Sequence, residues 1–135
     1  MTKKQINKLG YEIIGCAIEV HKHLGPGLLE SVYEECMVGE LTIKGIEVKR
    51  QVLVPIAYKG NELATPLKLD LLVNNTIIIE LKAVEGILPV HKAQLLSYLK
   101  LAEKPKGILI NFHTENIVKS AIHLVTENFA KLPKY

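Results

Sequence analysis

Residues 67–82, LKLDLLVNNTIIIELK, contain two apolar segments separated by a short polar turn. Asp70, the only aspartate of the chain, lies among leucines in the first segment, and Glu80 and Lys82 follow three isoleucines in the second. Aspartate is depleted in strands, and a charge among apolar side chains is costly unless something compensates it. The stretch therefore predicts two neighbouring strands that carry an acidic pair and a lysine in need of a compensating interaction.

The relative placement of the two acids depends on the length of the turn between the strands. Side chains alternate between the two faces of a strand, so Glu80 and Lys82 share a face. A two-residue loop, residues 74–75, would turn Asp70 away from Glu80. A three-residue loop, residues 74–76, would place Asp70 opposite Glu80, with β-carbons roughly 4.5–5.5 Å apart.

Two interpretations of these charges are open at this point. Two carboxylates so close repel each other, and a hard divalent cation such as Mg²⁺, which uses few protein carboxylates, relieves the repulsion. Lys82, one pleat further along, would then orient or stabilise a metal-bound hydroxide, or balance negative charge on an attacked phosphate. Alternatively, Asp70, Glu80 and Lys82 form a structural ion-pair triad at the end of a sheet. The spacing alone does not choose between a metal site and a triad.

Hydrophobic periodicity outside this stretch predicts a layered α/β (α+β) protein. The predicted helices cover residues 3–24, 28–44, 89–102 and 115–130, and the predicted strands cover residues 46–58, 63–73, 76–84 and 107–112. The second helix is expected to turn Leu29, Val32, Cys36 and Leu41 toward the core. Because the last two strands are continuously apolar, we expect a central sheet flanked by helices on both faces, in the order α-α-β-β-β-α-β-α.

Length and composition limit the class of protein. The 135 residues, 48% hydrophobic, are expected to form one domain, 1–135, with a substantial core. No apolar run approaches the ~20 residues needed to span a bilayer, and the N-terminus lacks a signal-peptide pattern. Cys16 and Cys36 are isolated, which is typical of reduced thiols in a cytoplasmic protein. A net charge of +3 permits a polyanionic partner without requiring one.

Several further polar residues have ordinary explanations as well as functional ones. Glu30, near the start of the second predicted helix, would offset the helix dipole by roughly 0.3–1 kcal/mol. Tyr33 shares the face of Glu30 and is typical of a half-buried tyrosine beside a core. His91, Gln94 and Tyr98 form one polar stripe on the third predicted helix, and such a stripe is usually a solvated face. These residues become candidates for a functional role only if the stripe faces the end of the sheet that carries Asp70.

Several motifs in a fixed order resemble those of the GxxExxY protein family, a prokaryotic family. The motif that names the family is GLLESVY, residues 27–33. The resemblance continues through Arg50-Gln51 and through LDLLV (69–73), ELKAV (80–84), VHKAQLLSYL (90–99) and INF (110–112), and it covers about residues 9–125. The family looks like a branch of the PD-(D/E)XK nuclease-like superfamily, whose core order α-β-β-β-α-β agrees with the predicted order. The resemblance therefore implies a restriction-endonuclease-like core.

The resemblance also implies roles for individual residues, with Asp70, Glu80 and Lys82 as the D, E and K of the superfamily motif. The implied catalytic residues are Lys82, Asp70, Glu80, Glu30 and Gln94; the implied metal ligands are Asp70, Glu80, Leu81 and Glu30; and Tyr33, His91 and Tyr98 are possible neighbours. Glu30 would complete the metal shell directly or through water, and Leu81 would contribute its backbone carbonyl. Leu69 stands where the motif has its leading proline, a departure that many branches share.

These implications predict a Mg²⁺- or Mn²⁺-dependent phosphodiesterase that acts on nucleic acid, with DNA as the expected substrate. Water would attack a phosphorus while the metal and Lys82 stabilise the added negative charge. The alternative is a non-catalytic nucleic-acid-binding or protein-interaction module that keeps the nuclease fold. A homodimer would give so small a chain a second site, and cyclic dimers are the commonest oligomers.

Overall fold

The computed structural model describes all residues from Met1 to Tyr135 as five helices and seven strands. The helices are α1 (Lys3–Leu24), α2 (Glu30–Ile43), α3 (Pro89–Leu101), α4 (Ile117–Ser120) and α5 (Glu127–Ala130). The strands are β1 (Val48–Val54), β2 (Ala57–Tyr58), β3 (Asn61–Glu62), β4 (Leu67–Val73), β5 (Ile77–Lys82), β6 (Lys106–Asn111) and β7 (Ile122–Val125). None of the helices is both long and apolar enough to cross a bilayer.

Five of the strands form a mixed sheet in the order β1-β4-β5-β6-β7. β4 and β5 form an antiparallel hairpin, β5 and β6 are parallel, and β1 and β7 are antiparallel edge strands. A parallel pair needs a crossover connection, and α3 is that connection between β5 and β6. β2 and β3 form a separate two-stranded hairpin, so the predicted strand 46–58 is in fact two strands. The predicted central sheet flanked by helices is confirmed.

Each face of the sheet has its own apolar core. On one face, α1 and α2 cover Ile77 and Ile79 of β5, and on the other face α3 covers Ile78. Burial on both sides explains the continuous apolar run of β5. Glu80 and Lys82 alternate in phase with Ile78, so both side chains belong to the α3 face of the sheet.

The turn between β4 and β5 has three residues. Val73 pairs with Ile77, and the antiparallel register continues back to Leu71 opposite Ile79. Asn74 and Asn75 have positive φ angles of 49° and 52°, a conformation that asparagine tolerates better than most residues. The longer of the two loops is therefore present, and the register extended by one residue sets Asp70 opposite Glu80.

The predicted C-terminal helix, residues 115–130, is wrong. The segment contains the short helices α4 and α5 with β7 between them, and β7 pairs with the free side of β6. Ile122 and Leu124 pack against the α3-side core, whereas His123 and Val125 are exposed. Side chains of residues 122–125 therefore alternate between half-buried and exposed, as in a strand, although the apolar pattern of the segment favoured a helix.

The predicted core-facing side of α2 is also partly wrong. Leu29 and Val32 are exposed. The residues of α2 that are buried are Tyr33, Glu34, Met37 and Leu41. The Tyr33 ring stacks on Phe112 with a centroid distance of 4.3 Å, and the acidic Glu34 next to it also faces inward.

Candidate active site

The two acids meet where the β4–β5 ladder ends. Beyond the Leu71–Ile79 pair, the Oδ2 atom of Asp70 accepts a hydrogen bond of 2.9 Å from the backbone N–H of Leu81. A side chain thereby takes over a donor that the strand ladder leaves unpaired. This bond fixes the Asp70 carboxylate beside Glu80.

Glu80 is a buried carboxylate that lacks full hydrogen bonding. Its side chain is 6% exposed, and its buried Oε1 atom has no hydrogen-bond partner. Burial above all, and then the adjacent Asp70, raise the pKa of the Glu80 carboxyl from 4.5 to about 9. The charge of Lys82 opposes this rise without cancelling it. Two carboxyl groups so arranged cannot both ionise without a compensating cation.

The protein does not form the ion-pair triad that the sequence left open. The two ion pairs of the structure join Glu34 to Arg50 and Glu19 to His23, and Lys82 takes part in neither. Lys82 is instead half-buried, with its side chain lining a groove beside α3. Glu80 and Lys82 are therefore not paired with each other, as the triad would require.

The donor set of the acidic pair fits a hard divalent cation. An unpartnered, buried carboxylate oxygen next to a second carboxylate is an all-oxygen environment with a deficit of positive charge. Mg²⁺ prefers such oxygen ligands and uses only one or two carboxylates, keeping several waters. No group of three or more histidine, cysteine, aspartate or glutamate side chains comes together in the protein. The fit thus rests on Asp70 and Glu80.

Glu30 lies at the end of the strand that carries Glu80. Its Oε1 atom accepts a hydrogen bond of 3.3 Å from the backbone N–H of Ala83, directly after β5. The carboxylate therefore reaches the same end of the sheet although 40 residues separate Glu30 from Asp70. It does not join Asp70 and Glu80 in a three-carboxylate cluster. A place for Glu30 in a metal shell stays a prediction.

Side chains from three different elements hold the backbone around Lys82. Asp70 of β4 accepts from Leu81 N–H, Glu30 of α2 accepts from Ala83 N–H, and Asn111 of β6 accepts from Val84 N–H at 3.1 Å. The carbonyl of Lys82 itself accepts from Phe112 N–H at 2.9 Å. Lys82 thus has a fixed backbone and a side-chain amine that no ion pair engages.

A groove of about 490 Å³ runs between the end of β5 and α3. Lys82, His91, Gln94 and Ser97 are among its lining residues. Gln94 Nε2 donates to the hydroxyl of Tyr98 at 3.0 Å. Burial, and after it the charge of Glu80, raise the pKa of the Tyr98 hydroxyl. Of the polar stripe on α3, Tyr98 therefore lies near the acidic pair, whereas His91 and Gln94 lie beside Lys82.

Tyr33 is a core residue and not part of the groove. Its ring is fully buried, and its hydroxyl donates to the Gly25 carbonyl at 2.6 Å and accepts from Leu28 N–H at 3.1 Å. These two bonds fasten the loop that leads into α2 and so help to place Glu30. Tyr33 therefore belongs to the core, and it is fully buried where a half-buried tyrosine was expected.

Sequence reasoning assigned no role to three residues beside the site. Glu34 is 8% exposed, and it accepts hydrogen bonds from Arg50 and Gln51 of β1. The sequence contained only weak indications of these residues. Glu34 directly follows the motif of residues 27–33 without being part of it, and Arg50-Gln51 matched the family without an implied role. A buried acid in α2 became visible only with the orientation of the helix.

Comparison with known proteins gives the family. A family model described as the PD-(D/E)XK nuclease superfamily matches residues 7–124. The crystal structure of SSO0001 is similar, with a TM-score of 0.55 and 21% sequence identity, over 91% of this chain and 61% of that chain. That likeness shows the fold alone, and the chain spans less than two thirds of SSO0001. No curated protein matches significantly. Because the family match spans most of the chain and the fold contains a restriction-endonuclease-like sheet, the protein belongs to the PD-(D/E)XK nuclease superfamily.

Proposed function

We propose that the protein is a nuclease of the GxxExxY family that hydrolyses phosphodiester bonds in DNA with Mg²⁺ or Mn²⁺. The observation that carries the proposal is the buried, unpartnered Oε1 atom of Glu80 beside Asp70. A protein does not gain stability from two adjacent carboxylates without a counter-charge. A site that binds a cation gives that arrangement a function.

The acidic pair and the lysine have separate roles in the proposed reaction. Asp70 and Glu80 hold the cation, with the Leu81 carbonyl and Glu30 as further candidate ligands. When bound, a divalent cation supplies Lewis-acid stabilisation of the charge on phosphoryl oxygens. Lys82 places its ammonium on the same face of β5 and stabilises the negative charge that develops at the attacked phosphate.

The residues of α3 bind and orient the substrate backbone. Gln94 and His91 line the groove together with Lys82, and the Gln94 amide is oriented by its bond to Tyr98. Amide and imidazole N–H groups donate to phosphate oxygens without adding carboxylate charge to the site. The groove is thus equipped for a phosphodiester next to Lys82.

A cleavage assay with one lysine removed tests the proposal. Lys82→Ala is expected to reduce metal-dependent cleavage by at least about a hundredfold, because it removes a charge that acts in the transition state. Its Mn²⁺ affinity, measured by calorimetry, should stay close to that of the wild type, since Asp70 and Glu80 remain. Lys92→Ala, which removes an exposed lysine of the same groove-forming helix, is the matched control.

The substrates to be tried are single-stranded, duplex and branched DNA, and RNA, each with Mg²⁺, with Mn²⁺ and with chelator. Wild-type protein that leaves all of them intact would contradict a catalytic role. Salt-dependent binding that chelator does not affect would then support the non-catalytic binding module. Cleavage that persists in Lys82→Ala would identify a contaminating nuclease.

A further inference from the structure

The edge strand β1 is interrupted directly beside Asp70. Arg50 pairs with Leu71 and Val52 with Leu69, so Gln51 lies at the level of Asp70, yet these two residues do not pair. Gln51 has a φ of +50°, in the left-handed region that a residue with a β-carbon rarely adopts within a strand. Strained backbone of this kind persists only where its surroundings enforce it.

At the interruption, the side chains of β1 and β4 change the face of the sheet on which they lie. Val48 packs on the α1–α2 side of the sheet and Val52 on the α3 side, although regular alternation would put both on one side. In β4, Leu71 belongs to the α1–α2 core and Leu69 to the α3 core, again against the alternation. Both strands therefore switch faces at one level of the sheet, and Asp70 is the residue at which β4 switches.

Glu34 holds the interrupted strand from α2. Both of its carboxylate oxygens accept from the Gln51 side-chain amide, at 2.9 and 3.0 Å, and Oε1 also lies 3.3 Å from Arg50 Nε. Hydrogen bonds to a carboxylate group are among the stronger ones in proteins. The strained residue is thus clamped by the side chain best placed to enforce its conformation.

We propose that Glu34 and Gln51 are positioning residues for Asp70. Glu34 fixes Gln51, Gln51 keeps β1 in its left-handed turn, and the missing pair lets Asp70 leave the ladder and accept from Leu81 N–H beside Glu80. The functional part of this inference, that the carboxylate so placed binds a cation, rests on the proposed nuclease function. The positional part can be measured without any metal.

The test compares two substitutions of Gln51 that differ in their backbone preference. Gln51→Val removes the clamp and disfavours a positive φ, whereas Gln51→Gly removes the clamp but adopts a positive φ freely. Glu34→Gln is a milder variant that keeps the shape of the side chain and weakens the clamp. Glu35→Gln, an exposed neighbour on α2, is the matched control.

The first measurement is amide hydrogen exchange by NMR in metal-free buffer, expressed as the rate at Leu81 relative to Ile79. We expect Gln51→Val and Glu34→Gln to raise this ratio about tenfold, the effect of losing one charge-assisted hydrogen bond. Gln51→Gly and Glu35→Gln should leave it near the wild-type value. A general loss of stability would move both amides together and leave the ratio unchanged.

The second measurement is Mn²⁺ affinity by calorimetry, with urea unfolding to establish that each variant is folded. Affinity should fall in Gln51→Val and Glu34→Gln and be retained in Gln51→Gly. An unchanged exchange ratio in Gln51→Val and Glu34→Gln would overturn the inference, whatever the metal result. Wild-type protein that does not bind Mn²⁺, together with the expected exchange ratios, would overturn the proposed function and leave the positioning role of Glu34 and Gln51 supported.

Discussion

Replacing Glu80 with glutamine should stabilise the metal-free protein, and the gain should grow with pH. In the native state, burial and Asp70 keep the Glu80 carboxyl protonated up to a pKa of about 9, whereas its ordinary value is 4.5. At a pH between these two pKa values, the unfolded chain has therefore released a proton that the folded chain still holds. Because the folded state then binds more protons, its stability falls as the pH rises through that window.

The structure sets the scale of this effect. One proton per molecule corresponds to about 1.4 kcal/mol per pH unit, so raising the pH by about three units inside the window costs the wild type up to about 4 kcal/mol. Glu80→Gln has no proton to release and escapes this cost. Burial also lowers the pKa of Lys106 and of His123, but both groups are present in wild type and variant, and the difference between the two proteins isolates Glu80.

The assay is urea unfolding of wild type and Glu80→Gln with chelator present, at about pH 5, 6.5 and 8, with the exposed Glu85→Gln as control. The free energies of unfolding should diverge steadily with pH. With Mg²⁺ added at about 100 times its Kd, the wild type should regain roughly 2.7 kcal/mol and Glu80→Gln much less. A difference between the two proteins that stays constant from low to high pH would refute the reasoning, because Glu80 would then be ionised in the native state.

Two further outcomes are expected. Leu88 N–H donates to His91 Nδ1, which leaves the ring proton on Nε2. His91→Gln keeps a donor at the Nε2 position and should therefore retain more cleavage activity than His91→Asn. His91→Asn keeps the acceptor for Leu88 N–H and should therefore have the higher free energy of unfolding of the two variants. The reverse ranking in the cleavage assay would contradict a substrate contact by His91, and the reverse ranking in the unfolding assay would contradict a stabilising role for the Leu88–His91 hydrogen bond. Tyr33→Phe should lower the free energy of unfolding by about 1–3 kcal/mol, since the carbonyl of Gly25 and the N–H of Leu28 lose their partner, and unchanged urea unfolding would show that water replaces the hydroxyl.

Local patterns were enough to predict the β4–β5 hairpin and the charges it carries. The alternation of side chains along a strand left two arrangements, with Asp70 and Glu80 on the same face or on opposite faces of the sheet. The choice between them depended on whether Thr76 belongs to the loop or to β5. The helix predicted over residues 115–130 failed because β7 gains its stability by pairing with the free side of β6, and such a long-range contact leaves little trace in local periodicity.

The site itself was predictable only where it lies on one strand pair. Glu34 and Gln51 escaped prediction because their relation depends on the rotation of α2 and on a positive φ in a strand of ordinary composition. Neither feature is encoded within a few neighbouring residues. The orientation of α2 goes together with contacts between residues far apart in the chain, such as the stacking of Tyr33 on Phe112.

The end of β5 combines a rigid backbone with a buried carboxyl group that is not fully hydrogen-bonded and a lysine that no ion pair engages. The amides of Leu81, Ala83 and Val84 are each held by a side chain from another element, so the strand end resists relaxation. The same segment keeps an unpartnered oxygen on Glu80 and leaves Lys82 without an ion pair, although both side chains lie on the α3 face of β5. Without a cation, the carboxyl of Glu80 avoids a buried negative charge by keeping its proton, which is why its pKa is raised to about 9. In the proposed reaction a cation replaces that proton, and the fixed backbone keeps the acidic pair and the amine of Lys82 in place for a cation and a phosphate, since preorganised groups lose least on reorganisation when the reaction occurs.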